Sequence, residues 1–389
     1  MTPARIGIDL TAYRTRETGV DRCLRELVEH LAKVDTLNRY HLFVLSEHAR
    51  VWGGLPENYR VRPLRLPGRV GRFVFQQAAL PVLATRLGLD VLHSPSFFMP
   101  WVRGRPRHVL SVYDMTFFSR PELHTALRGS YPFRLGVRTS IRRATSVIVP
   151  SEHVRRDLLA RVAAVRADRV RVIRPGVSER FRSPSAGATR SHSPYVLFTG
   201  TLEPRKDLET LLSAFATLAG RGSIREELWL AGGAGWGYQP LLARLRAPPL
   251  DGRVRWLGYV PDAELPSLYS GARLFVYTSV EEGFGLPPLE AMASGTPTIA
   301  SDNSSLRENL LGAARLVPAR DPGALADALE ELLSDEELRR GLALRGAERA
   351  RHFRWDQAAA ETLECYRSNA VGRSSNLVSR STMRRSSSP

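Results

Sequence analysis

Two glutamates separated by seven residues, Glu282 and Glu290, bracket the run Gly283-Phe284-Gly285-Leu286-Pro287-Pro288-Leu289. The apolar stretch Leu274-Phe275-Val276-Tyr277 reads as a buried parallel strand and Leu286 to Ala293 as the helix that follows it. The Gly-x-Gly turn therefore falls where a strand hands over to a helix. Its glycines let the backbone turn tightly and approach a ligand, while a proline in the first helical turn gives up only an amide that would be unpaired anyway. The remaining N–H groups and the positive end of the helix dipole suit a phosphate. Glu290 lies about a turn into the helix, which separates the two carboxylates by on the order of 10 Å along the ligand path. A phosphate fits between them. Because carboxylates repel phosphate, each should accept hydrogen bonds from neutral hydroxyls beside it, as the hexose and ribose of a nucleotide sugar would provide. Read more plainly, both are carboxylates at a helix start, worth about a few tenths of a kcal/mol with the dipole.

A second group of candidates lies in Gly200-Thr201-Leu202-Glu203-Pro204-Arg205-Lys206-Asp207. Leu208, Leu211, Leu212 and Phe215 supply the buried face of the next helix, which predicts Arg205 and Lys206 in its first turn. Cations there oppose the helix dipole and call for a partner, either Glu203, Asp207 and Glu209 nearby or a bound anion. The lysine is informative because the chain has only one other, Lys33, and otherwise uses arginine.

The spacing of Glu282 and Glu290 around Gly283-Phe284-Gly285 resembles that of the retaining glycosyltransferases of the GT-B fold. These form the large family 4, or group 1, that includes sucrose synthase and bacterial mannosyl- and rhamnosyltransferases. The resemblance implies that Glu282 contacts the donor hexose and Glu290 the ribose. It makes Arg205 and Lys206 the residues that hold the donor diphosphate, with Gly200, Gly283, Phe284, Gly285 and Leu286 lining the donor. It further makes Gly19 the loop glycine facing the diphosphate from the N-terminal domain, although a glycine at a helix entry is an equally good reading. The run Val254-Arg255-Trp256-Leu257-Gly258-Tyr259-Val260-Pro261 is similar to the family's base-contacting loop, with Val260 at its end. Backbone groups read the base there, so side chains do not reveal its identity. Three positions depart from the family pattern: Thr201 replaces an arginine, and Tyr113 and Pro95 stand where relatives carry histidines.

These residues need a scaffold. At 389 residues, 43% of them hydrophobic, the chain exceeds the size at which one core keeps growing, so two domains are expected. Ile6 to Leu10, His41 to Leu45, Val61 to Leu66, Asp90 to His93, Val109 to Tyr113 and Ser146 to Val149 read as strands with helical patterns among them. That alternation predicts a mostly parallel, doubly wound sheet over 1–182, with ligands outside the carboxyl ends of the strands. His93 and Asp114 would then line an acceptor-side cleft, or serve as a structural histidine and a turn former. Residues 183–194 have linker composition. A second series over 195–350 has strands at Tyr195 to Thr199, Leu228 to Ala231, Val254 to Leu257, Leu274 to Tyr277 and Pro297 to Ala300. Two such domains make the α/β GT-B architecture, two doubly wound Rossmann-like domains facing a cleft. The resemblance has the helical pattern in 351–367 crossing back to the first domain, and the Ser/Arg-rich 368–389 reads as disordered.

The glycine fingerprint of a dinucleotide fold, G-x-G-x-x-G, is missing after the first strand, which argues against an oxidoreductase. Two distant cysteines, Cys23 and Cys365, give no disulfide or zinc framework, and no secretory signal or spanning apolar run is visible. A cytoplasmic protein is expected. The formal charge of +17 asks for anionic partners. No basic and aromatic pattern matches a nucleic-acid module. Arg69 to Phe75, the loop from Phe97 to Arg105 and the arginines between Arg128 and Arg143 instead suit an anionic membrane surface, or are solvated faces. The expected activity is metal-independent transfer of a hexose, mannose or similar, from a nucleotide diphosphate sugar to a glycan or lipid-linked acceptor in cell-surface polysaccharide synthesis, without a cofactor. A catalytically silent nucleotide-sugar sensor is the alternative, and a basic nucleic-acid-binding protein a more distant one.

Overall fold

A computed structural model describes residues 3–102, 104–182 and 193–371. The predicted linker, apart from Ser193 and Pro194, and all of 372–389 lie outside them. The first sheet contains β1 (Arg5–Asp9), β2 (Arg39–Leu45), β3 (Tyr59–Leu64), β4 (Val91–Ser94), β5 (Arg107–Ser111), β6 (Ser146–Val149) and β7 (Val170–Val172). Its order is β3-β2-β1-β4-β5-β6-β7 with every pair parallel. The second contains β8 (Tyr195–Thr199), β9 (Glu227–Ala231), β10 (Val254–Gly258), β11 (Leu274–Tyr277), β12 (Thr298–Ser301) and β13 (Arg315–Val317), in the order β10-β9-β8-β11-β12-β13, again parallel throughout. Central strands such as β8 and β11 are buried at every residue, which is why they read as nearly continuous apolar runs. The edge strands β7 and β13 escape sequence reading because three residues carry no usable period.

The helices that matter for the site are α1 (Gly19–Val34), α2 (Gly68–Val74), α3 (Tyr131–Arg143), α4 (Glu152–Arg161), α5 (Leu208–Arg221), α6 (Leu286–Ala293), α7 (Ser304–Leu310) and α8 (Trp355–Val371). Helix α1 buries Leu24, Val28 and Leu31, an apolar face at helical spacing, against the first sheet and α8. Helix α8 returns to the first domain and buries Ala359, Leu363 and Tyr366 in the same core. At about 1.5–3 kcal/mol for each large buried side chain, this return ties the end of the chain to its beginning. Leu363→Asp would break it.

Two expected boundaries move. Helix α8 runs on to Val371, past Ser368 where the tail was expected to begin, because Asn369 is buried and donates to Ser146 Oγ at 3.0 Å. Val177 and Phe181 bury their side chains in the core of the second domain, so the chain has crossed before residue 182. No helix among the described residues is long and apolar enough to cross a membrane.

Candidate active site

In both sheets the strand order reverses beside the first strand of the series, at β1/β4 and at β8/β11. Ligands of open α/β sheets bind at such points, outside the carboxyl ends of the strands. The loops that leave β1, β5, β8 and β11 carry most of the predicted site residues, and the two sets meet. Ser151 Oγ, at the start of α4, donates to the Gly283 carbonyl at 2.7 Å. Ser119 donates to the Glu281 carboxylate at 3.1 Å. Gly283 lies so close to the first domain that a Cβ there would sit 1.8 Å from the Tyr113 carbonyl oxygen, so no other residue fits. Gly285 is required for a different reason, a left-handed φ of +89° at the N-cap of α6.

Side chains pin the carbonyls of this turn. Ser305 donates to Glu282 O at 2.8 Å and Asn309 to Phe284 O at 2.7 Å, both from α7. Among the described residues, the N–H groups of Gly283, Phe284 and Gly285 make no hydrogen bond. Leu286, partly buried, opens α6 immediately after them. The structure thus presents the unpaired donors expected of an anion-binding turn.

The cations are arranged differently from expectation. Arg205 and Lys206 belong to a short 3-10 turn, Pro204–Lys206, and Asp207 at φ +49° separates them from α5. They therefore do not sit in the helix's first turn against its dipole. Lys206 is also buried, with 7% of its surface exposed. Its Nζ lies 2.5 Å from both Glu282 Oε1 and Tyr277 Oη. Arg205 reaches the same Glu282 oxygen at 2.7 Å and Glu203 at 2.8 Å. Their partners here are Glu203, one of the neighbours weighed against a bound anion, and Glu282, whose place so close to the two cations only folding reveals. Ser279 Oγ at 2.7 Å and Tyr277 Oη at 3.0 Å complete the surroundings of Glu282, so the hydroxyls beside its carboxylate here are the protein's own and not those of a sugar. Burial alone would raise the Glu282 pKa, but Arg205, Lys206 and the hydroxyls overcome it and hold the group far below the usual carboxylate range. It is ionised at neutral pH.

Glu290 has a different environment. Tyr269 Oη donates to it at 3.0 Å, and Arg22 from α1 reaches across the domain boundary to Glu290 Oε1, also at 3.0 Å. Burial pushes the Glu290 pKa up, and Arg22 and Tyr269 offset that only in part. Arg22 was missed in the sequence, although it stands in the first turn of α1, where a cation opposes the dipole as Arg205 and Lys206 do not. Asp262, two residues beyond Val260, gathers Arg180 at 2.8 Å and Arg25 at 3.3 Å. These residues, with Tyr13 and Glu17, border a cleft of about 720 Å³ between the domains. Gly19 opens α1 with no atom within 4 Å of a would-be Cβ, Gly200 ends β8, and Val260 follows β10, so all three lie at carboxyl-end edges.

On the acceptor side the two expected residues part ways. His93 has no exposed surface: its ring nitrogens lie 2.6 Å from Tyr366 Oη on α8 and 2.8 Å from Ser111 Oγ. Burial pushes its pKa down to about 3, so it is a neutral structural histidine and does not line the cleft. Asp114 is partly exposed and faces Gly283. Its Oδ1 accepts from Thr116 Oγ1 at 2.9 Å, which in turn lies 2.7 Å from His124 Nε2. His124 is a titratable group that no strand-end pattern could have placed beside Asp114. Among the described residues, no three His, Cys, Asp or Glu side chains gather as a metal site.

Comparison with known proteins agrees with this geometry. Residues 18–181 match the Glycosyltransferase Family 4 model and residues 180–349 the Glycosyl transferases group 1 model. The chain is similar to O-antigen chain mannosyltransferase B of Escherichia coli, 32% identical over 71% of this chain and 74% of that one. It is also similar to D-inositol 3-phosphate glycosyltransferase of Kineococcus radiotolerans, 31% identical over 78% and 77%. In fold it resembles sucrose-phosphate synthase from Thermosynechococcus elongatus, with a TM-score of 0.77 at 23% identity, covering 94% of this chain and 98% of that one. WaaG, a glycosyltransferase involved in lipopolysaccharide biosynthesis, gives a TM-score of 0.75 at 14% identity, with 93% and 99% covered. With both halves matched and the same two-domain architecture, the chain belongs to the group 1, family 4 glycosyltransferases of the GT-B fold.

Proposed function

We propose that this glycosyltransferase is a retaining, metal-independent hexosyltransferase that moves mannose or a similar hexose from a nucleotide diphosphate sugar to a glycan or lipid-linked acceptor in cell-surface polysaccharide synthesis. It works in the cytoplasm, at the inner face of the plasma membrane. The observation that carries this reading is the cluster of Arg205, Lys206 and Glu282 beside the unpaired amides of Gly283, Phe284 and Gly285. Likeness to O-antigen chain mannosyltransferase B supports mannose as the sugar and surface polysaccharide as the destination.

In this reading the bond between the hexose anomeric carbon and the diphosphate oxygen breaks, and its electron pair stays on that oxygen. Arg205, Lys206 and the three amides neutralise that charge as preorganised donors. The acceptor hydroxyl attacks the same face of the sugar, and its proton passes to the departing phosphate, so no dedicated base is needed. Glu282 accepts from the hexose hydroxyls, and Glu290 from those of the ribose once Arg22 yields. Asp114 orients the acceptor from the opposite domain.

The test is transfer and donor hydrolysis measured against GDP-, UDP- and dTDP-sugars, with product stereochemistry read by NMR. Retention with a mannose donor is expected. Inversion would overturn the front-face mechanism, and binding without hydrolysis or transfer would identify a sensor.

A further inference from the structure

The first domain has a second conspicuous surface, built from elements that contribute none of the residues around Glu282. Helix α2, the loop from Phe97 to Val102 and helix α3 lie side by side. Phe73 and Trp101 meet edge to face at 5.6 Å, and Phe98 and Phe133 at 5.2 Å. Trp101 Nε1 donates to Ser140 at 3.1 Å, and Arg143 donates to the Trp101 carbonyl at 2.7 Å. Each element also turns apolar side chains to solvent. Val70 is 76% exposed, Val102 66% and Tyr131 63%, with Phe73, Val74 and Leu135 beside them in sequence and structure. Of the fifteen large hydrophobic side chains exposed among the described residues, six lie on these three neighbouring elements, a concentration unlike the single scatter usual on a protein surface.

The charge around the patch is one-sided. Residues 65–143 contain thirteen arginines and three acidic residues. Of the three, Asp90 accepts from the backbone of β1, Asp114 faces Gly283 across the domain boundary, and Glu122 is exposed in the turn Pro121–Leu123. Helices α2 and α3 carry no acidic residue at all. Among the described residues, Arg69, Arg72, Arg134, Arg138, Arg142 and Arg143 have no ion-pair partner, whereas the arginines of the cleft are paired. Arg134 Nε and Arg138 Nε are buried without a hydrogen-bond acceptor. The Arg138 guanidinium instead stacks over the Phe118 ring, 5.0 Å from its centre.

We propose that this face docks the first domain on an anionic lipid bilayer. Val70, Phe73, Val74, Val102, Tyr131 and Leu135 enter the boundary between headgroups and acyl chains, and the arginines meet lipid phosphates. The proposal deepens the membrane placement given above and rests on it. A second copy of the chain is a poor occupant, because a twofold contact would press arginine against arginine. Nucleic acid would satisfy the charge but leave exposed valines and a phenylalanine without an apolar partner. A bilayer satisfies both: buried apolar area and attraction to anionic headgroups add together, and each basic residue near the surface strengthens binding.

The test uses the full chain with phosphatidylglycerol/phosphatidylcholine vesicles and with phosphatidylcholine alone. Wild type should sediment with the first and not the second. Val70→Glu combined with Val74→Glu should lower the partition coefficient at least tenfold, and Arg134→Gln combined with Arg138→Gln should lower it severalfold and flatten its salt dependence. Both variants should keep the wild-type melting temperature and donor hydrolysis, since the altered residues lie outside the cleft. Wild-type binding by both variants would overturn the docking surface while leaving membrane association standing. Failure of the wild-type chain to bind either vesicle would overturn both. Tight, salt-sensitive binding to duplex DNA without binding to vesicles would assign the charge to nucleic acid and refute the proposal.

Discussion

Replacing Lys206 by Met removes one positive charge from the centre of the proposed leaving-group site while keeping the length of the side chain. Lys206 Nζ touches Glu282 and Tyr277, each at 2.5 Å, and lies 4.8 Å from the centre of the Tyr277 ring. Breaking a buried ion pair costs about 3–5 kcal/mol when it strands a charge. Glu282 is not stranded here, because Arg205 and the Ser279 and Tyr277 hydroxyls remain within 3.0 Å. The loss of stability should therefore be nearer that of one charge-assisted hydrogen bond, about 1.5–3 kcal/mol. The same contact made to the departing diphosphate is worth a similar amount, so kcat/KM should fall by roughly 10- to 160-fold. A contact formed only as the bond breaks would lower kcat, and one already present with bound donor would raise KM. Thermal melting, calorimetry with nucleoside diphosphate and steady-state kinetics separate the effects. A lowered melting temperature with unchanged kcat/KM would refute the leaving-group role and leave Lys206 as an internal counter-ion to Glu282.

Glu290→Gln should weaken binding of nucleoside diphosphate, whereas Glu282→Gln should spare it and impair sugar transfer, and calorimetry with the diphosphate alone compares them. Arg22→Ala should leave Glu290 buried without its cation, loosening the domain pair and raising the donor KM; small-angle scattering that detects no change in dimensions would argue against a cross-domain clasp. The folded-state pKa of Glu282 is depressed, so its stabilisation is present above the ordinary glutamate value of 4.5 and is lost as pH falls toward the lower folded value. The melting temperature of Glu282→Gln should accordingly decline less steeply in acid than that of wild type. Treatment with EDTA should leave turnover intact, and activity that disappears and returns with magnesium or manganese would contradict charge neutralisation by Arg205 and Lys206.

The sequence by itself determined the architecture and the place of the turn between its strand and its helix. Strands buried on both faces read as continuous apolar runs, and a Gly-x-Gly between such a strand and a helix allows few backbone arrangements, so Leu274 to Tyr277 and Leu286 to Ala293 were placed without coordinates. Tertiary structure decided which side chains meet. Glu282 lies 76 residues from Lys206, and Arg22 far from Glu290, so nothing in local periodicity states that they pair. It also decided burial. His93 at the end of an apolar strand looks the same whether it faces a cleft or, as here, is covered by Tyr366 from a helix 273 residues away. Helix dipole reasoning found Arg205 and Lys206 as unusual but misplaced them, because one residue in a left-handed conformation, Asp207, moves the start of the helix beyond them. Local patterns fix what a segment can become, since they act through the nearest few residues. Pairing, burial and pKa depend on neighbours brought together only when two domains and a returning helix close on each other.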